Sequence, residues 1–265
     1  MKRQSLILAA LAVLIVVPLC AQEVEMATGG PIISNPPDQL SGWEWSKAVI
    51  YDNGPLVTTP GGGAGGVDIS ELQTGLGMGT YGFGFQSATP NRIADDFTVS
   101  DAAGWQVDTI TFFGYQTGSG TTSTFTEVYV QIWNGAPNAG GAVVWGDYST
   151  NRIASTTWAN IYRVLDTAPT DTQRPVMAIV ATIGTVLPPG TYWVDVSTAG
   201  SGSSGPWAPP ISILGQTTTG NGLQYTSSTG VWDLAVDGGT GTQQGFPFII
   251  DGTVLPVELQ SFSVE

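Results

Sequence analysis

The chain has 265 residues, with 21 acidic and 7 basic side chains, one cysteine and no histidine. The lack of histidine excludes a Ser-His-Asp triad, His-ligated zinc or haem, and any imidazole base. Gly (36) and Pro (17) make up about a fifth of the chain and charged residues only 11%, a balance that suits exported all-β proteins and not helical ones.

Lys2 and Arg3 open the chain, and an apolar run over 6–19 follows. That run is too short to span a bilayer comfortably, so residues 1–21 read as a signal peptide cleaved after Ala21. Cleavage removes Cys20, and with it any disulfide, thiolate metal site or cysteine nucleophile. It also removes Lys2 and Arg3, which moves the formal net charge from −14 to −16. The charge disfavours nucleic acid and anionic membrane surfaces as partners. Polysaccharide or other envelope proteins suit it better. No membrane span is expected in the mature chain. Export without disulfides points to a secreted protein or one on a bacterial cell surface.

Residues 22–42, with Pro31, Pro36 and Pro37, read as a disordered lead-in. A single domain is expected over 43–252. It opens with a short strand at 48–51, stopped by Asp52-Asn53-Gly54-Pro55, a strong turn signal. A Gly-rich loop region occupies 60–90, interrupted by one possible helical turn at 68–72. Strands then follow at 93–99, 107–115, 127–133, 142–148, 161–165, 176–183 and 191–197. Four more are expected at 211–214, 223–226, 231–236 and 246–251. These runs are rich in Val, Ile, Thr and aromatic residues, with Gly, Pro, Asn or Ser between them. They predict an all-β fold, an antiparallel two-sheet β-sandwich that is jelly-roll-like. A C-terminal tail over 253–265 completes the chain.

Alternation divides the aromatic residues from the core. From Glu127 to Trp133, Val128, Val130 and Ile132 share one face, while Tyr129, Gln131 and Trp133 share the other. Trp193 and Asp195 likewise oppose Tyr192, Val194 and Val196. A sheet face bearing Tyr, Trp, Gln and Asp can stack on sugar rings and bond their hydroxyls. Packing under loops is the competing use of such rings. The candidate ligand residues are therefore Tyr129, Gln131, Trp133, Trp193 and Trp207, the last on the loop Gly205-Pro206-Trp207-Ala208-Pro209-Pro210.

Other motifs carry less. Gly77-Met78-Gly79-Thr80-Tyr81-Gly82 fits G-x-G-x-x-G, but it lacks the preceding strand and following helix that a dinucleotide site needs. No organic cofactor is expected. Asp95 and Asp96 together are a candidate pair for a structural Ca²⁺. Glu127, Asp147 and Asp195 are the carboxylates a glycan-active enzyme would draw on, although their spacing marks no facing pair.

One order of motifs runs through the domain: Arg92-Ile93-Ala94-Asp95-Asp96-Phe97-Thr98-Val99, then Val130-Gln131-Ile132-Trp133-Asn134-Gly135, then Leu187-Pro188-Pro189-Gly190-Thr191-Tyr192-Trp193-Val194. It resembles a group of uncharacterised exported bacterial β-sandwich proteins that often carry envelope-sorting tails. The segment from Leu255 to Phe262 resembles the hinge before C-terminal sorting domains. The resemblance implies a sandwich fold and export, and supplies no catalytic residues. The expectation is a secreted, non-enzymatic module with a surface, matrix or adhesive role, binding glycan through exposed aromatics. A structural envelope or filament subunit is the first alternative, and a carboxylate-dependent glycan-active enzyme the second.

Overall fold

The computed structural model describes residues 48–256. The expected signal peptide and lead-in, and the tail beyond residue 256, lie outside the described residues. The strands among them, in chain order, are β1 (Ala48–Asp52), β2 (Asp68–Leu72), β3 (Phe83–Gly84), β4 (Arg92–Val99) and β5 (Trp105–Gly114). Then come β6 (Phe125–Trp133), β7 (Val143–Asp147), β8 (Ile153–Leu165), β9 (Pro175–Leu187) and β10 (Gly190–Gly200). The last are β11 (Trp207–Ala208), β12 (Leu223–Thr226), β13 (Val231–Leu234) and β14 (Phe248–Val254). The fold is all-β, with single 3₁₀ turns at Ala64–Gly66 and Thr74–Leu76.

Two six-stranded sheets carry the architecture. The first has the order β1-β14-β5-β9-β8-β2 and the second β13-β12-β4-β10-β6-β7. A two-stranded ribbon pairs β11 with β3. Side chains alternate across each strand, so one face of each sheet can be apolar. Val128, Val130 and Ile132 of the second sheet are fully buried, as are Val107, Ile110, Ile179 and Ile250 of the first, all within one core. Rings join the two sheets there. Phe97 of β4 lies 6.3 Å from Trp105 and 6.1 Å from Phe248, both of the first sheet.

Three local expectations are corrected. Residues 68–72 form β2, not a helical turn, and β2 runs parallel to β8, with Ile69 opposite Tyr162. The remaining strand pairs are antiparallel. Residues 211–214 are not a strand. The amides of Ile211 and Ser212 donate to Gly245 and Pro55 respectively, in two different segments, and Pro210 just before them has no amide hydrogen to give. The last strand does not stop near Gly252. It continues to Val254, and Gly252 is required because β14 passes so close to the Gln106 carbonyl that a Cβ would strike it.

Candidate ligand-binding surfaces

Register builds the first surface. On β10, Trp193, Asp195 and Ser197 sit opposite Trp133, Gln131 and Tyr129 of β6. On the other side of β10, Asp195 sits opposite Ala94 of β4, and Arg92 of β4 opposite Tyr225 of β12. Since Val194, Val196, Val130 and Ile132 all enter the core, these partners occupy the outer face of the second sheet. Three of the predicted residues, Tyr129, Gln131 and Trp133, are half-buried there and lie side by side along β6.

At the centre of this face lies Asp195, which is 0% exposed. Its Oδ2 accepts the indole N–H of Trp133 at 3.3 Å and, more closely, the hydroxyl of Tyr148. Arg92 is its ion partner, with Nε 3.9 Å from Oδ1. That separation is too long for a hydrogen bond, and both atoms are buried without a hydrogen-bond partner among the described residues. The guanidinium of Arg92 is caged by rings, 4.0 Å from Tyr225, 4.5 Å from Tyr148 and 5.1 Å from Trp232. Arg92, Tyr148, Tyr225 and Trp232 were not among the predicted contacts.

Trp193 is a correction. It is 8% exposed, packed with Ala94 and Leu223 and flanked by Trp133 and Trp232. It forms the floor beneath Trp133 and offers no ring to a ligand. Trp207 lies elsewhere, in the ribbon with β3 and bridged to Tyr115 at the end of β5. The outer face therefore gathers Tyr129, Gln131 and Trp133, and separates them from Trp207.

The Asp95 and Asp96 pair does not converge. Neighbours on one strand point to opposite faces, and Asp95 turns inward. Its oxygens accept the amide of Phe246 at 2.6 Å, the side-chain amide of Asn53 at 3.0 Å and the amide of Asp96 at 2.9 Å. Hydrogen-bond donors surround it where a cation would need further oxygens. Among the described residues, no group of three or more acidic, Cys or His side chains is placed to hold a metal ion. Glu127 accepts the Tyr129 hydroxyl at 2.7 Å. Asp147 is tied to Ser149, Thr150 and Arg152, and the donors of Ser149 and Thr150 hold its carboxyl well below the usual range.

Burial pushes the carboxyl of Asp195 up to about 7, although Arg92, Tyr148 and Trp133 pull the other way. Burial also pushes Asp95 up to about 7 against the donors of Phe246, Asp96 and Asn53. An unperturbed Asp titrates near ~4. Between the two values the folded chain retains protons that the unfolded chain has released, so stability falls as pH rises through this window. The melting temperature is therefore expected to be higher at pH 5 than at pH 8. Asp195→Asn, which keeps an oxygen for Tyr148 and Trp133, should reduce the difference. Calorimetry of both proteins at the two pH values checks this, and equal melting at pH 5 and pH 8 would count against it.

Comparison with protein-family models, with curated proteins and with solved structures gives no match for this chain.

Proposed function

We propose that this protein is an exported, non-enzymatic binding module that holds polysaccharide against the outer face of its second sheet, in a cell-surface, matrix or adhesive role. The observation that carries the reading is the row of Tyr129, Gln131 and Trp133, half-exposed on β6 beside the caged Arg92 and the Tyr148 hydroxyl. An open sheet face of this kind suits an extended chain: C–H faces of the sugars rest on the rings, and their hydroxyls meet Gln131 and the polar edge. Two features support binding over hydrolysis. The two carboxylates with raised pKa, Asp95 and Asp195, are on opposite faces of the sheet. Glu127 and Asp147 are each engaged in hydrogen bonds of their own. Export rests on the N-terminal composition and on the acidic net charge.

The test is depletion of the protein from solution by a panel of insoluble polysaccharides. Wild-type protein is expected to be retained by at least one of them. Trp133→Ala, which removes the most prominent ring of the row, should reduce retention at least about tenfold, as loss of an aromatic stacking contact does at binding hot spots. Retention of both proteins to the same extent would refute the platform.

A second reading, a filament or envelope subunit, has one observation in its favour. β7 and β13 are the two edges of the same sheet, and both carry exposed apolar residues: Val143, Val144, Val231 and Leu234. Unpaired edges of this kind can add to one another head to tail. Elution as a monomer at all concentrations in size-exclusion chromatography would remove this reading.

A further inference from the structure

A cleft of about 250 Å³ opens where the ribbon meets the end of β5. Its rings come from Tyr81 and Trp207, and its polar groups from Thr117, Ser204 and Arg174. Trp207 is held firmly. Its backbone exchanges two hydrogen bonds with Tyr115, each 2.9 Å, and its indole N–H donates to Ser204 Oγ at 3.2 Å. The guanidinium of Arg174 lies 3.8 Å from the centre of the Tyr81 ring and donates to Asp171 at 2.8 Å.

Two further features point to a ligand. Tyr115 lines the cleft and is only 2% exposed, yet its hydroxyl has no hydrogen-bond partner among the described residues. This oxygen is not among the fully enclosed atoms left without a partner, so it opens to the cleft, where water or a ligand completes it. Gly82 lies beside it, and a Cβ at that position would come within 2.7 Å of the hydroxyl oxygen. Glycine there keeps the oxygen uncovered. Burial raises the pKa of this phenol, so it is a neutral donor across the physiological range.

The second feature is charge. Directly behind the cleft wall, Arg163 donates to the carbonyl of Tyr81 at 2.9 Å and to that of Thr80 at 3.3 Å. It forms no ion pair with a carboxylate among the described residues. Asp237 lies near enough to favour the charged form of Arg163, and Arg174 at the cleft spends one guanidinium nitrogen on Asp171, which leaves its other donors without a hydrogen-bond partner among the described residues. Spare guanidinium donors of this kind suit a carboxylate, which they can meet with charge-assisted hydrogen bonds.

We infer that this cleft is a second binding site, separate from the sheet face, for a single carboxylate-bearing sugar residue of the uronate class. The ring of the sugar would rest on Trp207, and its carboxylate would take the Tyr115 hydroxyl and Arg174. The volume is below the ~300–1,000 Å³ of pockets that hold drug-sized ligands, which limits the occupant to about one ring. The inference goes beyond the platform and does not require it.

The test is titration of the full chain with short oligomers of galacturonate, glucuronate and mannuronate, and with their neutral counterparts, followed by calorimetry and tryptophan fluorescence. At least one uronate oligomer should bind about tenfold or more tighter than its neutral counterpart. Tyr115→Phe removes one hydrogen bond to a charged acceptor and should weaken that binding by at least about tenfold. Its melting temperature should not fall, because the hydroxyl has no internal partner to lose. Trp207→Ala should weaken binding comparably, and Trp133→Ala should leave it unchanged. The inference is overturned if no uronate binds, if the neutral oligomers bind as tightly, or if binding survives both Tyr115→Phe and Trp207→Ala. The Trp133→Ala arm on insoluble polysaccharide decides the platform separately.

Discussion

Arg163→Met is expected to destabilise the fold by about 3–5 kcal/mol, among the largest effects of any single substitution here. Arg163 is 1% exposed, on β8. Its guanidinium donates to the hydroxyls of Ser70 (3.1 Å) and Ser212 (2.9 Å) and to the carbonyls of Tyr81 and Thr80. It thereby ties β2, the segment before β3 and the 211–214 segment to one point. Burial lowers its pKa to about 10, which still leaves it charged at neutral pH. Methionine keeps most of the stem volume but leaves four acceptors with fewer donors, those of Ser70 and Ser212 buried and those of Thr80 and Tyr81 half-buried, and each unsatisfied buried group costs about 1–3 kcal/mol. The hydroxyls of Ser70 and Ser212 bond to each other at 3.0 Å, which limits the loss. Urea denaturation measures the effect. A change under about 1 kcal/mol would mean that this guanidinium is not a tie point.

Asp237→Ala is expected to cost about 3 kcal/mol at neutral pH, from several lost hydrogen bonds to one charged acceptor. The carboxylate is 1% exposed and gathers the amides of Gly79 (3.0 Å), Thr80 (2.8 Å), Gly239 (2.9 Å) and Thr240 (2.9 Å). Those donors join the 77–80 loop to the turn after β13. Burial pushes the carboxyl up, but the amides of Thr240, Thr80, Gly79 and Gly239 outweigh it and hold the pKa below the ordinary value. A depressed folded-state pKa confers stability that is complete above the unfolded value, near ~4, and is lost as pH falls through the folded one. The penalty of Asp237→Ala should therefore shrink at pH 3 relative to pH 7. A penalty that is the same at both values would show that packing, and not charge, is what this residue supplies.

Alternation alone made the outer face of β6 legible. It requires no knowledge of neighbouring strands, and it sent Tyr129, Gln131 and Trp133 outward while Val128, Val130 and Ile132 went in. What Trp193 does depends on pairing: Trp133 covers it because β10 and β6 align those two residues. The Asp195 cluster was hidden for the same reason. Its members come from β4, β6, β10 and the residue after β7, and only the register and one turn bring them together. The β2 segment misled because Ile69 and Leu72 are three apart, a helical spacing, while Ser70 is buried by contact with Arg163 and so breaks the alternation. The cleft left almost no trace in the sequence, since Tyr81, Tyr115, Arg174 and Trp207 come from four distant segments. Of these, the sequence marked Trp207 alone, and as a loop residue, whereas it lies in β11.

The most direct test of the platform is to follow the indole N–H resonances of the tryptophans by NMR during titration with a soluble oligosaccharide of a polysaccharide that retains the protein. The Trp133 indole, which bonds Asp195 beside the open face, should shift with the largest amplitude, together with the side-chain amide of Gln131. The resonance of Trp105, enclosed between the sheets, should stay in place. Saturable binding that leaves the Trp133 and Gln131 resonances unmoved would contradict the account.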